Sequence, residues 1–339
     1  MRILIIVLAA FLITMSGYAE TPKRLATAED FLADPDFWTA RLSEDGTKLA
    51  VVRSDNGDLQ IVTTSLEEGA SAAHAIPVPL YNIQQIDWVT EDRLIVTLVG
   101  YERHGKVIPY RQVLAEPDKR YWRFSRHFFV DATGDNPVMF AESGLLSGGL
   151  SNGSLISLLP NDPEHVLFIA YATGSLNLYK GNIHDGSYVR IAEGIGRTID
   201  WHVDDRGHPR IRIDRATNGA FNTYFLNTAP EGEKPDWEKT LTRKTLRNRD
   251  LAEQEDFILL GYSEQDNAFY VLARPEGHDN MALFLYDFKT QSYIEEIMAV
   301  EGLDINNVWF DEFRQVERVS YTYHATRMVF LNPKDQAHY

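Results

Sequence analysis

The sequence predicts an all-β fold: a β-propeller of four-stranded antiparallel blades, about five to six of them, incomplete as a ring. Three observations carry that prediction. Helical periodicity is nearly absent, and only Thr27 to Leu32 and Asp250 to Glu255 read as short helical turns. Apolar and aromatic residues come instead in runs bounded by Gly, Asp, Asn or Pro, and aromatics make up 12% of the chain, which suits pleated, half-buried surfaces. The runs also recur as a unit: strand, acidic turn, strand, loop, strand, short turn, strand. Unit openings fall near residues 37, 83, 155, 198, 257 and 306.

The first unit reads as a strand from Phe37 to Leu42, a turn at Ser43-Glu44-Asp45-Gly46, and a return from Lys48 to Arg53. Asp55-Asn56-Gly57 turns again into Leu59 to Thr64. The second unit opens at Ile83 to Val89, turns at Thr90-Glu91-Asp92 and continues from Leu94 to Val99. Residues 121–129, Tyr-Trp-Arg-Phe-Ser-Arg-His-Phe-Phe, read as a strand with alternating faces. The third unit has strands at Leu155 to Leu159, His165 to Tyr171, Leu176 to Asn182 and Tyr188 to Ala192. The fourth pairs Thr198 to Val203 with Pro209 to Asp214 across Asp204-Asp205-Arg206-Gly207. Asn227 to Trp237 reads as a long loop between strands. The fifth runs Phe257 to Tyr262, a turn at 263–267, Phe269 to Ala273, Met281 to Phe288 and Tyr293 to Met298. The sixth begins at Asn306 to Phe310 and reaches Val319 to Tyr323 and Met328 to Leu331.

A propeller follows from the recurrence. One four-stranded sheet cannot cover both of its faces, and radial stacking buries them against neighbouring blades while leaving only short edges. A β-sandwich is the second architecture, but it does not call for a recurring unit.

Composition narrows the setting. Arg2, the apolar run Ile3 to Met15 and the small residues of Ser16-Gly17-Tyr18-Ala19 form a signal peptide over residues 1–19, with cleavage expected before Glu20. The apolar run is too short for a membrane anchor, so the remainder, 20–339, is expected to be exported, periplasmic or secreted, with no membrane association after cleavage. There is no cysteine, hence no disulfide framework and no thiolate chemistry. The net charge of −16 argues against nucleic acid and anionic lipid, because phosphate contacts need clustered Lys and Arg.

Several phrases, in order, resemble one family. Phe37 to Leu66, with its strand, Ser-Glu-Asp-Gly turn and Leu-Ala strand, is similar to the opening blade of prolyl-oligopeptidase-type (S9) serine peptidases. Ile83 to Val96, with Trp88 before an acidic turn, resembles the second unit of that family. Leu155 to Tyr171, Ile199 to Ile213 and Phe257 to Tyr293 resemble later blades, so the likeness covers roughly 30 to 331. The resemblance implies the non-catalytic half of such an enzyme, a propeller that caps an α/β-hydrolase domain and admits short, flexible peptides. On this expectation the chain resembles the front of the enzyme, stops during the sixth blade and carries none of the hydrolase half. The expected partners are a peptide substrate or an α/β-hydrolase domain. The alternative is a free-standing periplasmic propeller that binds a peptide, a glycan or a protein.

One motif challenges the non-catalytic reading. Gly149-Leu150-Ser151-Asn152-Gly153 spells G-x-S-x-G, the pattern of a nucleophile elbow. An elbow needs a buried strand running into the first Gly and a helix starting after the Ser, so that helix N-terminal amides help hold an oxyanion. Here a loop rich in Gly and Ser precedes Ser151, and Ser154 to Leu159 is too short a segment before Pro160 for a packed helix. Ser151 is therefore expected to sit in an inter-blade loop, and no catalytic triad is recognised. His202 and His208, flanking Asp204 and Asp205, raise a metal site on opposite arms of a hairpin, but their spacing does not match zinc motifs. Asp45, Asp185 and Asp204 read first as turn residues. The pairs Glu67-Glu68 and Glu295-Glu296 match no motif, and Asn152-Gly153-Ser154 is a glycosylation sequon only in a eukaryotic secretory route. No catalytic, cofactor-binding or metal-binding residue is assigned, and no cofactor is expected.

Overall fold

The computed structural model describes residues 37–55, 58–67, 73–146, 149, 151–245, 257–263, 268–311 and 315–339. The signal segment and both short helical turns expected near 27 and 250 lie outside the described residues, as does most of the 263–267 turn. Six sheets follow one another along the chain and are arranged as a six-bladed β-propeller.

Blade 1 contains β1 (Phe37–Leu42), β2 (Lys48–Asp55), β3 (Asp58–Ser65) and β4 (His74–Val78). Blade 2 contains β5 (Asn82–Thr90), β6 (Arg93–Arg103), β7 (Lys106–Ile108), β8 (Trp122–Asp131) and β9 (Val138–Met139), with helix α1 (Tyr110–Ala115) between β7 and β8. Blade 3 is β10 (Ser154–Ser157), β11 (His165–Ala172), β12 (Ser175–Asn182) and β13 (Tyr188–Ala192). Blade 4 is β14 (Thr198–Val203), β15 (Pro209–Arg215), β16 (Phe221–Asn227) and β17 (Trp237–Lys244). Blade 5 is β18 (Phe257–Tyr262), β19 (Ala268–Ala273), β20 (Ala282–Asp287) and β21 (Ser292–Met298). Blade 6 has three described strands, β22 (Ile305–Phe310), β23 (Val316–Tyr323) and β24 (Ala325–Phe330), followed by helix α2 (Pro333–His338). The six observed openings, at residues 37, 82, 154, 198, 257 and 305, lie within one residue of those read from the sequence. Sequence pattern did not reveal β4, β7, β9, β16, β17 or the two short helices. The β-sandwich alternative fails, because each sheet from blade 2 to blade 5 packs between its two chain neighbours.

Acidic turns join the inner strands for a local reason. Asp45 accepts from Ser43 Oγ at 2.6 Å, Thr47 N at 3.0 Å and Thr47 Oγ1 at 2.7 Å, which holds its carboxyl down at about 2. Asp204 accepts from the backbone N–H of Arg206 at 3.1 Å and of His208 at 2.8 Å in the same way. An Asp that folds back on its own backbone closes the hairpin without help from a neighbouring blade.

Packing between blades is the dominant burial. Alternation sends one set of side chains to each face of a strand, and five apolar clusters fill the gaps between consecutive blades. Ala50, Val52 and Ile61 of blade 1 meet Ile86, Leu94 and Val96 of blade 2. Ile95, Phe129 and Phe140 meet Val166, Phe168 and Tyr179 of blade 3. Leu167 and Leu178 meet Trp201 and Val203 of blade 4. Ile211, Tyr224 and Leu226 meet Phe257, Phe269, Tyr286 and Phe288 of blade 5. Tyr270, Leu272 and Leu283 meet Ile305 and Val319 of blade 6. Among the described residues no such cluster joins blade 6 to blade 1, where Phe37 is 65% and Trp38 46% exposed.

Close approach at one seam depends on glycine. Gly186 closes the β12–β13 turn at φ +70°, and its carbonyl accepts from Ala141 N at 2.9 Å. A Cβ there would come within 2.3 Å of the Met139 carbonyl oxygen. Gly186→Ala is therefore expected to cost more than the roughly 1–2 kcal/mol of a left-handed non-glycine residue, measured as a lower urea midpoint. Phe140 and Phe168 stack at 3.9 Å across the same seam. Phe168→Ala is expected to lose about 3–5 kcal/mol in the same assay.

Candidate functional site

Inner strands converge on the axis of a propeller, and here those of five blades leave a cavity of about 870 Å³. Its wall comes from the ends of β1, β5, β10, β18 and β22 and from the turns that follow them. Trp88, Leu42, Ile156, Leu158, Leu260 and Phe310 supply apolar surface, while Glu44, Asp87, Glu91, Asp92 and Asp311 supply carboxylates. Arg41 is the guanidinium among these lining residues.

The blade 1 and blade 2 walls are tied together by side chains. Arg41 Nε donates to Asp87 Oδ1 at 3.3 Å, and Trp88 Nε1 donates to the Arg41 carbonyl at 3.0 Å. Lys48 pairs with Asp92 and donates to the Glu91 carbonyl at 3.1 Å. That pairing raises the Lys48 ammonium above its ordinary value. Burial pushes the Asp87 carboxyl up, against the opposing pull of Gln85 Nε2 at 2.6 Å and of Arg41. Across the cavity, Asp311 closes the β22–β23 turn by accepting from Gln315 N at 2.7 Å. The result is a mixed apolar and acidic wall built from non-adjacent parts of the chain. Trp88 before its acidic turn was visible in the sequence, but the meeting of these residues was not.

Ser151 lies away from this cavity. Its backbone makes one parallel bridge to Ser125 and leads into β10, with no helix after it. Gly148 and Leu150 lie outside the described residues. The Ser151 hydroxyl donates to the Gly153 carbonyl at 3.0 Å and accepts from Ser125 Oγ at 2.9 Å and Gly153 N at 3.2 Å. An imidazole is close by, but it is turned to the same carbonyl. His127 Nε2 donates to Gly153 O at 2.9 Å, and its Nδ1 accepts from Thr97 Oγ1 at 3.0 Å. An N–H aimed at a carbonyl cannot take a proton from serine. Gly153 holds φ +131° beside the Ile169 carbonyl, which explains the glycine as backbone geometry.

The other residues singled out in the sequence disperse. His202 stands opposite Ile211, while His208 precedes Pro209 opposite Val203, so the two imidazoles do not meet across the hairpin. His208 Nε2 accepts from Asn227 Nδ2 at 3.1 Å. Among the described residues no group of three or more His, Asp or Glu is arranged to hold a metal ion. Glu295 and Glu296 are both exposed on β21, Glu67 is exposed after β3, and Glu68 lies outside the described residues. Asn152 is fully buried and donates to the Phe140 carbonyl at 2.7 Å. No helix among the described residues is long and apolar enough to cross a membrane.

Two outcomes follow for this region. A fluorophosphonate probe should leave Ser151 unlabelled in the folded chain, read by mass spectrometry of the tryptic peptide. Burial lowers the affinity of His127 for a proton. The unfolded chain therefore binds protons more readily, and this contribution to stability is complete above about pH 6.5 and lost as pH falls below it. The slope of unfolding free energy between pH 5 and 6.5, two values set around that ordinary imidazole range, should be smaller in His127→Gln.

No protein-family model matches the sequence, and no curated protein matches it. Solved structures do resemble it. Prolyl oligopeptidase B from Galerina marginata, bound to a 35mer hydrolysis and macrocyclization substrate, aligns with 88% of this chain and 43% of its own, at 8% identity and a TM-score of 0.51. The acylaminoacyl peptidase of Pyrococcus horikoshii aligns with 87% of this chain and 45% of its own, at 15% identity and a TM-score of 0.45. The β-propeller domain of the trilobed protease from Pyrococcus furiosus aligns with 86% of this chain and 80% of its own, at 14% identity and a TM-score of 0.42. The chain spans less than half the length of the two peptidases. At such identities the likeness is one of fold: the chain shares a β-propeller fold with prolyl oligopeptidase B.

Proposed function

We propose that the chain is the non-catalytic, substrate-gating propeller of an exported S9-type serine peptidase, acting with an α/β-hydrolase domain that performs the cleavage. The observation that carries this reading is the central cavity of about 870 Å³, bounded by inner strands and rimmed by turns. A space of that size, among rigid strands, accepts an extended peptide and rejects a folded protein. Its mixed wall suits a peptide: Trp88, Leu158 and Phe310 pack against side chains, and the carboxylates attract amino groups. The order of the sequence phrases and the fold of the Galerina enzyme support the same assignment. The apolar segment after Arg2 supports export, with periplasmic or secreted localisation.

The non-catalytic role has a physical basis in this chain. Ser151 has its hydroxyl proton committed to a carbonyl, and His127 faces that same carbonyl with an N–H. Peptide hydrolysis therefore draws its nucleophile from the hydrolase domain. The propeller acts before chemistry, by setting which substrates reach the reacting serine. Such a filter changes the ratio of kcat/KM between long and short substrates without touching the bond that breaks.

Three results test the reading. Native material isolated from its source with an antibody to this chain should carry a fluorophosphonate-labelled serine hydrolase, on the same polypeptide or in tight complex. A native chain without one favours the free-standing binder of a peptide, glycan or protein. Amino-terminal sequencing of the native protein should begin at Glu20. The chain has no cysteine, so Glu44→Cys with Asp311→Cys places the only two thiols on the cavity wall. Linking them with a short bis-maleimide should slow hydrolysis of an octapeptide by about tenfold while a dipeptide amide is spared. Equal slowing of both would overturn the gating role.

A further inference from the structure

Blade 2 carries an insertion that the propeller does not require. In the other five blades a turn or short loop joins the second strand to the third, the longest being 274–281. In blade 2 residues 104–121 separate β6 from β8 and include β7 and α1. β5 starts at Asn82, opposite Val99, so Gly100 to Arg103 of β6 run on past it. At roughly 3.3 Å per residue they carry the insertion about 13 Å beyond the end of β5.

The insertion is basic in an acidic protein. Residues 101–123 hold six Lys or Arg against three Asp or Glu, while the whole chain has a net charge of −16. Strand register gathers these cations. Ile108 and Arg123 stand opposite Tyr101, and Lys106 stands opposite Arg103, so these residues share one face of the ribbon. Tyr110 of α1 stacks on Tyr101 at 5.9 Å, and Tyr121 meets the same ring edge-on at 6.5 Å, which seats α1 on that face. Arg111 and Arg120 adjoin those two tyrosines in the chain and are brought to the same side. Glu116 is already engaged by Lys119 at 2.5 Å and by Tyr121 Oη at 3.3 Å. Lys106, Arg111 and Arg120 are exposed and form no ion pair among the described residues. α1 has no buried residue, and Leu114, one turn on from Arg111, is 55% exposed.

We propose that this insertion is a docking surface for an acidic peptide segment of a partner protein, whose carboxylates meet Lys106, Arg111 and Arg120 and whose apolar side chain packs on Leu114. Charge complementarity selects the occupant. The guanidinium groups of Arg111 and Arg120 suit paired bonds to carboxylates. The reach of the insertion is comparable with the screening length of about 8–10 Å at physiological ionic strength. A short acidic segment therefore meets the basic tip apart from the acidic body. A bilayer or a long polyanion would face that body as well and be repelled by it. None of these residues lines the central cavity, so the surface stands or falls separately from the gating role.

The test titrates the full chain with the blocked pentapeptide acetyl-Asp-Glu-Leu-Glu-Asp-amide in a calorimeter. A Kd near or below about 1 mM is expected at low salt. Raising the ionic strength from about 0.01 M to about 0.15 M shortens the screening length from about 30 Å to about 8 Å and should weaken binding by about tenfold. Arg111→Glu with Arg120→Glu should abolish binding at an unchanged unfolding temperature, since both side chains are in water. Should that variant unfold, Arg111→Gln with Arg120→Gln gives the same reading as a loss of about tenfold. Lys234→Glu with Lys239→Glu, exposed cations of blade 4, should leave binding unchanged. The proposal is overturned if the peptide does not bind, or if its Asn-Gln-Leu-Gln-Asn counterpart binds as well. It is equally overturned if the blade 4 variant weakens binding as much as the insertion variant. Binding of phosphatidylglycerol vesicles or of oligothymidylate through Arg111 and Arg120, without binding of the peptide, would assign the surface to a different partner and end the idea.

Discussion

Each internal blade of this protein has two apolar faces that water must not reach, and its neighbouring blades cover them. That constraint organises the molecule. A single four-stranded sheet with apolar residues on both faces is insoluble and unstable alone. Stacking six of them in sequence converts each exposed face into one side of a cluster. The clusters are rich in rings because sheets packed about 10 Å apart need large side chains to fill the gap. Phe257, Phe269, Tyr286 and Phe288 serve this purpose between blades 4 and 5, and Phe140 with Phe168 serves it between blades 2 and 3. Both faces of each internal blade are consumed in this way. What remains for function is the axis, the rim turns and the edges.

The axis gains its character from that geometry. Inner strands point their ends toward a shared space, and the turns that reverse them are acidic because Asp closes a hairpin by bonding its own backbone. The carboxylates of the central wall are thus a by-product of turn chemistry as much as a selected feature. Asp311 accepts from Gln315 N, and Asp92 is held by Lys48. Asp87 is different. It is partly buried, tied to Arg41 of the neighbouring blade, and pushed toward its neutral form by burial. It links the two blades that begin the chain. Among the described residues no comparable cluster joins blade 6 to blade 1.

The G-x-S-x-G stretch shows how a motif separates from its chemistry. Serine, imidazole and glycine do come together in space, with His127 and Ser151 bonded to one carbonyl. The arrangement fails as a catalytic pair for reasons of proton direction. Burial keeps His127 neutral, its donating nitrogen faces Gly153 O, and its accepting nitrogen is filled by Thr97. The serine sits at a loop-to-strand junction, so no helix amides point at a developing oxyanion. A short sequence pattern specifies residue types; it does not specify which lone pair faces which proton.

The sequence by itself determined the fold class and the blade openings. Alternation, aromatic content and Asp-Gly turns are local signals, and each inner hairpin closes using residues within a few positions of itself. Asp45 and Asp204 illustrate this: their partners are two to six residues away. The outer strands β4 and β17 were less legible, because a strand with one solvated face, such as Trp237–Lys244, carries no sustained apolar run. Tertiary structure alone decided the sites. The central wall joins Leu42, Trp88, Leu158, Leu260 and Phe310, which are far apart in the chain and meet only once six sheets have stacked. Register and stacking are set by the sum of many small packing terms over the whole chain, so no stretch of sequence contains them.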